Sequence, residues 1–130
     1  MSYKFKYIDI SYLKSASPSP DFIFKILDLF IAEFPKIKEN LLISLKNEDY
    51  KTLGEVAHKA KSRVAIIGME NDAKMMKSLE LDAKSRKDIE TFAERVDAFL
   101  LNCENAIIEI NDFKSSQWVF LIHIIKLLRL

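Results

Sequence analysis

Apolar residues recur every three or four positions along nearly the whole chain, and only two glycines and three prolines interrupt that rhythm in 130 residues. Such spacing lays an apolar stripe along an α-helix, where 3.6 residues make one turn. A fold built of strands needs many more turn residues than these. The chain therefore reads as all-α. Its length is that of one domain, and it suffices to bury a single core without disulfides or metals.

The punctuation orders the helices. "YIDISYLKSAS" reads as a short N-terminal helix that closes one end. In "SPSPDFIFKILDLFIAEF", Ser19 or Asp21 can cap a helix and Pro20 suits its first turn. An apolar stripe then recurs at Phe22, Ile26, Leu29, Phe30 and Ile31. Pro35 should kink or restart the helix, and Ile37, Leu41, Leu42 and Leu45 continue its stripe. "KNED" marks a turn with Asp49 as the next N-cap, and Gly68 stands where a C-cap glycine would end that helix. "MENDAKMMKSLELDA" forms a third helix with Met69, Ala73, Met76, Leu79 and Ala83 inward, followed by a loop at "KSRKD". "IETFAERVDAFLLNCENAIIEI" forms a fourth, with Phe92, Val96, Phe99, Cys103, Ala106 and Ile110 on one face and Glu104 and Glu109 as exposed charges.

Four amphipathic helices joined by short loops favour an antiparallel up-and-down four-helix bundle, here with a short extra N-terminal helix. We assign residues 1–110 to this bundle and 111–130 to an apolar C-terminal extension. Its last stretch, "WVFLIHIIKLLRL", is shorter than the roughly 20 residues that cross a bilayer and contains His123, Lys126 and Arg129. It is not a transmembrane segment. It serves as a packed last helix or strand, as a homodimer contact or as a membrane-surface segment, and His123 is expected to be packed or interfacial.

The charge balance, 20 basic against 19 acidic residues, argues against a nucleic-acid partner. "MSYKFKYIDISYL" lacks the apolar core of a secretory leader, and the single Cys103 cannot form an internal disulfide. Both fit a cytoplasmic location.

The stretch with the most chemical content is "VAHKAKSRVAIIGM". On a helical wheel, Leu53, Val56, Ala57, Ala60, Val64 and Ile67 share an arc of about 100°, and His58 points about 150° away from its centre. His58 is therefore expected in solvent, beside Gly54, Lys61, Ser62 and Ala65. Small neighbours leave that surface flat enough for another protein to approach, and Gly54 in particular is expected to serve this purpose. Lys61 puts a cation one turn from the ring, where it would stabilise the charge of an attached phosphoryl group. Lys59 and Arg63 add positive charge further round. Taken alone, an exposed histidine is most simply a surface residue without a task. His58 and His123 lack the supporting carboxylate or cysteine spacing of a metal site.

"HKAKSRVAIIG", His58 to Gly68, resembles the histidine phosphotransfer (HPt) domain family, whose pattern is H-x-x-K-x-x-x-x-x-x-G. The run-in "DFIFKILDLFIAEFPKIKENLLISLKNEDYKTLGEVAHKAKS" is similar too, and the resemblance covers about residues 6–110. It implies a phosphorelay carrier in which His58 accepts a phosphoryl group from one receiver-domain aspartate and yields it to another. Lys61 would stabilise the phosphate, Gly68 would be structural, and Gly54, Lys59, Ser62, Arg63 and Ala65 would form the receiver-docking surface. The position after the lysine is often glycine in the family and is Ser62 here. The implied partners are response-regulator receiver domains and a hybrid histidine kinase. Magnesium is expected on the receiver, with no cofactor on this chain. No G-x-x-x-x-G-K-[ST] loop is present, so no autonomous kinase activity is expected. We expect a free-standing carrier. An alternative is a helical docking or regulatory module that binds a receiver or kinase without carrying phosphate, which would not require both His58 and Lys61.

Overall fold

The computed structural model describes residues 4–17 and 19–129; residues 1–3, 18 and 130 of the expected domain ranges lie outside the described residues. Among the described residues the chain is all-helical without strands. It comprises α1 (Ser11–Ala16), α2 (Pro20–Lys46), α3 (Tyr50–Ile66), α4 (Glu70–Ser85), a 3-10 turn at Ile89–Thr91, and α5 (Phe92–Leu128). Helices α2, α3, α4 and α5 pack in sequence, and α5 returns to α2, so each touches two of the others.

Three helices end in the same hydrogen-bonded turn. After α3, the N–H of Met69 donates to Val64 O and that of Gly68 to Ala65 O, both at 3.0 Å. Asp49 with Glu48 does the same after α2, and Lys87 with Arg86 after α4. This is the Schellman arrangement, which needs one left-handed residue. Those residues are Glu48 (φ 53°), Gly68 (φ 80°) and Arg86 (φ 55°). Glu48 and Arg86 lie in solvent and accept a modest strain. Gly68 answers to a second constraint, because a Cβ there would sit 2.2 Å from the Asp9 carbonyl oxygen. The N-terminal segment crosses the end of α3 at this point, with Asp9 N–H donating to Ile67 O at 2.9 Å. At its other end, α3 is capped as expected: Asp49 accepts from Thr52 N–H at 3.1 Å and from Thr52 Oγ1 at 2.6 Å.

The expected core faces of α3 and α5 are all buried: Leu53, Val56, Ala57, Ala60, Val64 and Ile67 in one, and Phe92, Val96, Phe99, Cys103, Ala106 and Ile110 in the other. Helix α2 departs from expectation in two ways. Its buried stripe is Ile23, Leu27, Phe30, Phe34 and Leu41, while Leu29 and Leu42 are exposed. Apolar residues occupy so many consecutive positions here that several faces look alike in sequence, and packing selects one. The helix also runs unbroken through Pro35. Proline removes one backbone donor, and the apolar face buried on both sides of it carries the helix across.

Glu109, read as an exposed charge, is nearly buried. Its carboxylate accepts the backbone N–H groups of Lys6 (2.6 Å), Tyr7 (2.9 Å) and Ile8 (3.0 Å) and fastens the N-terminal segment to α5. Phe5 stacks edge-on against Phe113 at 5.0 Å between ring centroids. The packed part of α5 thus reaches Phe113, and the helix continues without a break across the expected boundary at residue 110. His123 is exposed rather than packed. No helix among the described residues is long and apolar enough to cross a membrane.

Candidate functional site

His58 lies midway along α3 with its side chain 60% exposed, on the flank that faces α4. Helix α4 brings Glu80 to it. Glu80 Oε2 is 3.0 Å from His58 Nδ1 and 3.1 Å from Lys84 Nζ, and Glu80 Oε1 is 3.5 Å from Lys61 Nζ. One nearly buried carboxylate thus gathers the histidine and two lysines. His58, Glu80 and Lys84, with Glu55 and Lys59, surround a shallow open hollow of about 350 Å³.

The electrostatics of the cluster follow from Glu80. Burial pushes its pKa up, but hydrogen bonds from His58 and Lys84 and the positive charges of His58 and Lys61 outweigh that and hold it at about 2, against an ordinary 4.5. At neutral pH Glu80 is therefore an anion that can only accept hydrogen bonds. The neutral imidazole must then carry its proton on Nδ1, which leaves the lone pair on Nε2. The arrangement presents a nucleophilic nitrogen whose ring is oriented from behind, beside two ammonium groups on flexible stems.

Lys61 is less exposed than His58, and its 3.5 Å contact with Glu80 is long. Lys59, Ser62 and Ala65 are exposed on the same helix. Arg63 is also exposed but is turned to α2, where its Nε meets Glu33 at 2.6 Å. Gly54 does not belong to this surface. It is buried, and a Cβ on it would contact Glu80 O at 3.5 Å and Ala83 Cβ at 3.6 Å. Gly54 thus borders the packed contact of α3 with α4. Helix α4 covers a flank that the wheel alone leaves open. Gly68 lies ten residues beyond His58, about 15 Å along the helix, and has only the structural role described above.

Sequence reasoning missed Glu80 and Lys84. Their i, i+4 spacing marks a local ion pair, but nothing local ties Glu80 to a histidine 22 positions earlier. Only the pairing of α3 with α4 does that. Among the described residues, no group of three or more His, Cys, Asp or Glu side chains could hold a metal ion. Cys103 is fully buried, and burial pushes its thiol pKa well up, so it is not a nucleophile. No protein-family model, curated protein or solved structure matches the chain.

Proposed function

We propose that the protein is a histidine phosphotransfer carrier of a two-component phosphorelay, built as an antiparallel up-and-down four-helix bundle with α1 as the extra N-terminal helix. The observation that carries this reading is the exposed His58 ring held through Nδ1 by Glu80, with Lys61 and Lys84 on the same carboxylate. The resemblance of His58–Gly68 to the HPt pattern points the same way.

In the reaction, the Nε2 lone pair attacks the phosphorus of an aspartyl phosphate on a receiver domain. An N–P bond forms, the P–O bond to the aspartyl group breaks, and its electron pair leaves with the receiver's carboxylate. The Nδ1 proton stays in place, and Glu80 balances the positive charge that the ring acquires. Lys61 and Lys84 swing from Glu80 to the phosphoryl oxygens. Transfer to a second receiver is the reverse sequence. Magnesium belongs to the receiver in this scheme, and the carrier supplies position and charge. The partners are receiver domains and a hybrid histidine kinase, and the setting is the cytoplasm. Exposed Ser62 and Ala65, with Lys59, form the approach surface.

The test is incubation with a panel of phosphorylated receiver domains, read by intact mass. The expected result is one acid-labile phosphoryl group, absent in His58→Gln. Tight receiver binding without any transfer would replace this reading with the non-phosphorylated docking module.

A further inference from the structure

Charge is spread unevenly over this nearly neutral chain. On α4, Lys74, Lys77, Leu81 and Lys84 fall within an arc of about 80°, at about 100° per residue. The buried residues Met76, Leu79 and Ala83 lie on the opposite side, so this arc is the outer face of the helix. All four side chains are exposed, Leu81 by 54%. Helices α3 and α4 pair antiparallel, with Gly54 beside Ala83 and His58 beside Glu80. Leu81 therefore sits at the level of His58, between Lys84 on one side and Lys77 and Lys74 on the other. Elsewhere, Lys38, Arg63, Arg95 and Lys114 each meet a carboxylate of another helix. Among the described residues, no carboxylate pairs with Lys59, Lys74 or Lys77. Helix α5 lies diagonally across from α3, each packing on α2 and α4. Its outer face carries exposed Glu94, Asp97 and Asp112. The molecule is thus polarised, with its basic side around His58.

We propose that the receiver domain docks across α3 and α4. The lysines of α4 pair with carboxylates that flank the receiver's acceptor aspartate, and Leu81 packs among them. The proposal rests on the carrier reading and names the surface that brings the partner to His58. That reading supplies the complementary charge. Magnesium is held by oxygen ligands, commonly carboxylates, so an aspartate that exchanges phosphoryl groups with its help sits among other acids. A row of ammonium groups attracts such a surface over about 10 Å and turns it toward His58. Two observations disfavour other anionic partners. Exposed Glu55 lies beside His58 and exposed Glu70 at the far end of the row. A nucleic-acid backbone or a layer of lipid headgroups would meet both, whereas a protein surface can place a cation or water opposite each. Leu81 alone offers too little apolar area to enter a bilayer. An apolar side chain ringed by charges is the anatomy of a protein contact.

The test measures association and dissociation rates with a panel of receiver domains from about 50 to about 500 mM salt, a range over which screening strengthens severalfold. Phosphoryl transfer is followed in parallel. Association with the parent should slow at least about tenfold across that range. At low salt, Lys74→Glu/Lys77→Glu should slow it by a similar factor and raise the KM for transfer. The kcat should stay within about twofold, because neither lysine contacts His58 or Glu80. Lys25→Glu/Lys46→Glu on α2 makes the same change in net charge away from this face and should alter association by less than about twofold. Leu81→Ala should hasten dissociation about fivefold. All these side chains are exposed, so helical circular dichroism should be unchanged. Transfer that ignores both salt and the α4 lysines overturns docking on α4 and leaves the carrier reading in place. Binding that depends on salt and on those lysines, without transfer, upholds the docking face and overturns the carrier reading. Receivers that neither bind nor transfer overturn both. Binding of phosphatidylglycerol vesicles through the same lysines, in place of any receiver, overturns the proposal and assigns the row to a membrane surface.

Discussion

Glu80 sets what His58 can do, because its carboxylate decides which ring nitrogen keeps the proton. In Glu80→Ala the acceptor is gone, and the neutral ring is free to place its proton on either nitrogen. Wherever the ring is neutral, ¹⁵N NMR should show the Nδ1–H tautomer in the parent and a mixture in the variant, and an unchanged spectrum would remove Glu80 from the site. Phosphoryl uptake should slow by about tenfold, the effect of losing one orienting group. The same residue gives stability a defined pH dependence. Folded Glu80 keeps its charge down to about pH 2, whereas the unfolded chain takes up the proton near 4.5. Its contribution is therefore complete at neutral pH and is lost as pH falls from about 4.5 to 2. Two of its three partners are more than half exposed, so water screens them, and Glu80→Gln should cost only about 1 kcal/mol at pH 7. Urea unfolding should show that difference shrinking toward pH 2. A difference that grows on acidification would mean that the carboxylate is not held as an anion.

The two glycines, one inside α3 and one in the turn just past its end, should respond differently to the same substitution. Gly54 is helical, and a Cβ there would meet its neighbours at 3.5 Å or more, an ordinary contact. Gly54→Ala should be neutral or stabilise by up to about 1 kcal/mol. Gly68→Ala places a Cβ at φ 80° and against Asp9, and should destabilise by about 2–4 kcal/mol. Denaturant midpoints moving in the same direction would contradict this account of the α3 ends. Glu109 offers a separate check: Glu109→Ala leaves three backbone donors without their acceptor, and amide exchange at Lys6, Tyr7 and Ile8 should accelerate at least tenfold. What could be read from sequence divides along the same lines. The core faces of α3 and α5, the Asp49 cap and the glycine after α3 were legible because each depends on residues a few positions apart. Glu80 beside His58, Glu109 beneath the N-terminal segment and the burial of Gly54 were not, because each arises where helices distant in sequence meet. The register of α2 was ambiguous for another reason: too many consecutive apolar residues support more than one face.

At the scale of the molecule, the position of each helix separates the transfer site from the C-terminal tail. His58 is on α3, which packs against α2 and α4, and the tail belongs to α5, which packs against the same two. The transfer face and the tail thus sit on helices that share neighbours. Within the core, α4 links them: it carries Glu80 and Lys84 toward α3, while Asp72 accepts from Asn102 of α5 at 2.7 Å and Arg95 of α5 reaches Asp82 at 2.9 Å. These contacts all lie before residue 113, inside the packed part of the chain. Changing the tail beyond that point leaves them in place. The Phe120→Glu/Ile124→Glu protein should therefore accept phosphoryl groups from a receiver at the parent rate, within about twofold. A drop of about tenfold or more with the helical signal intact would show that the tail takes part in receiver contact, so that docking reaches beyond α3 and α4 to α5.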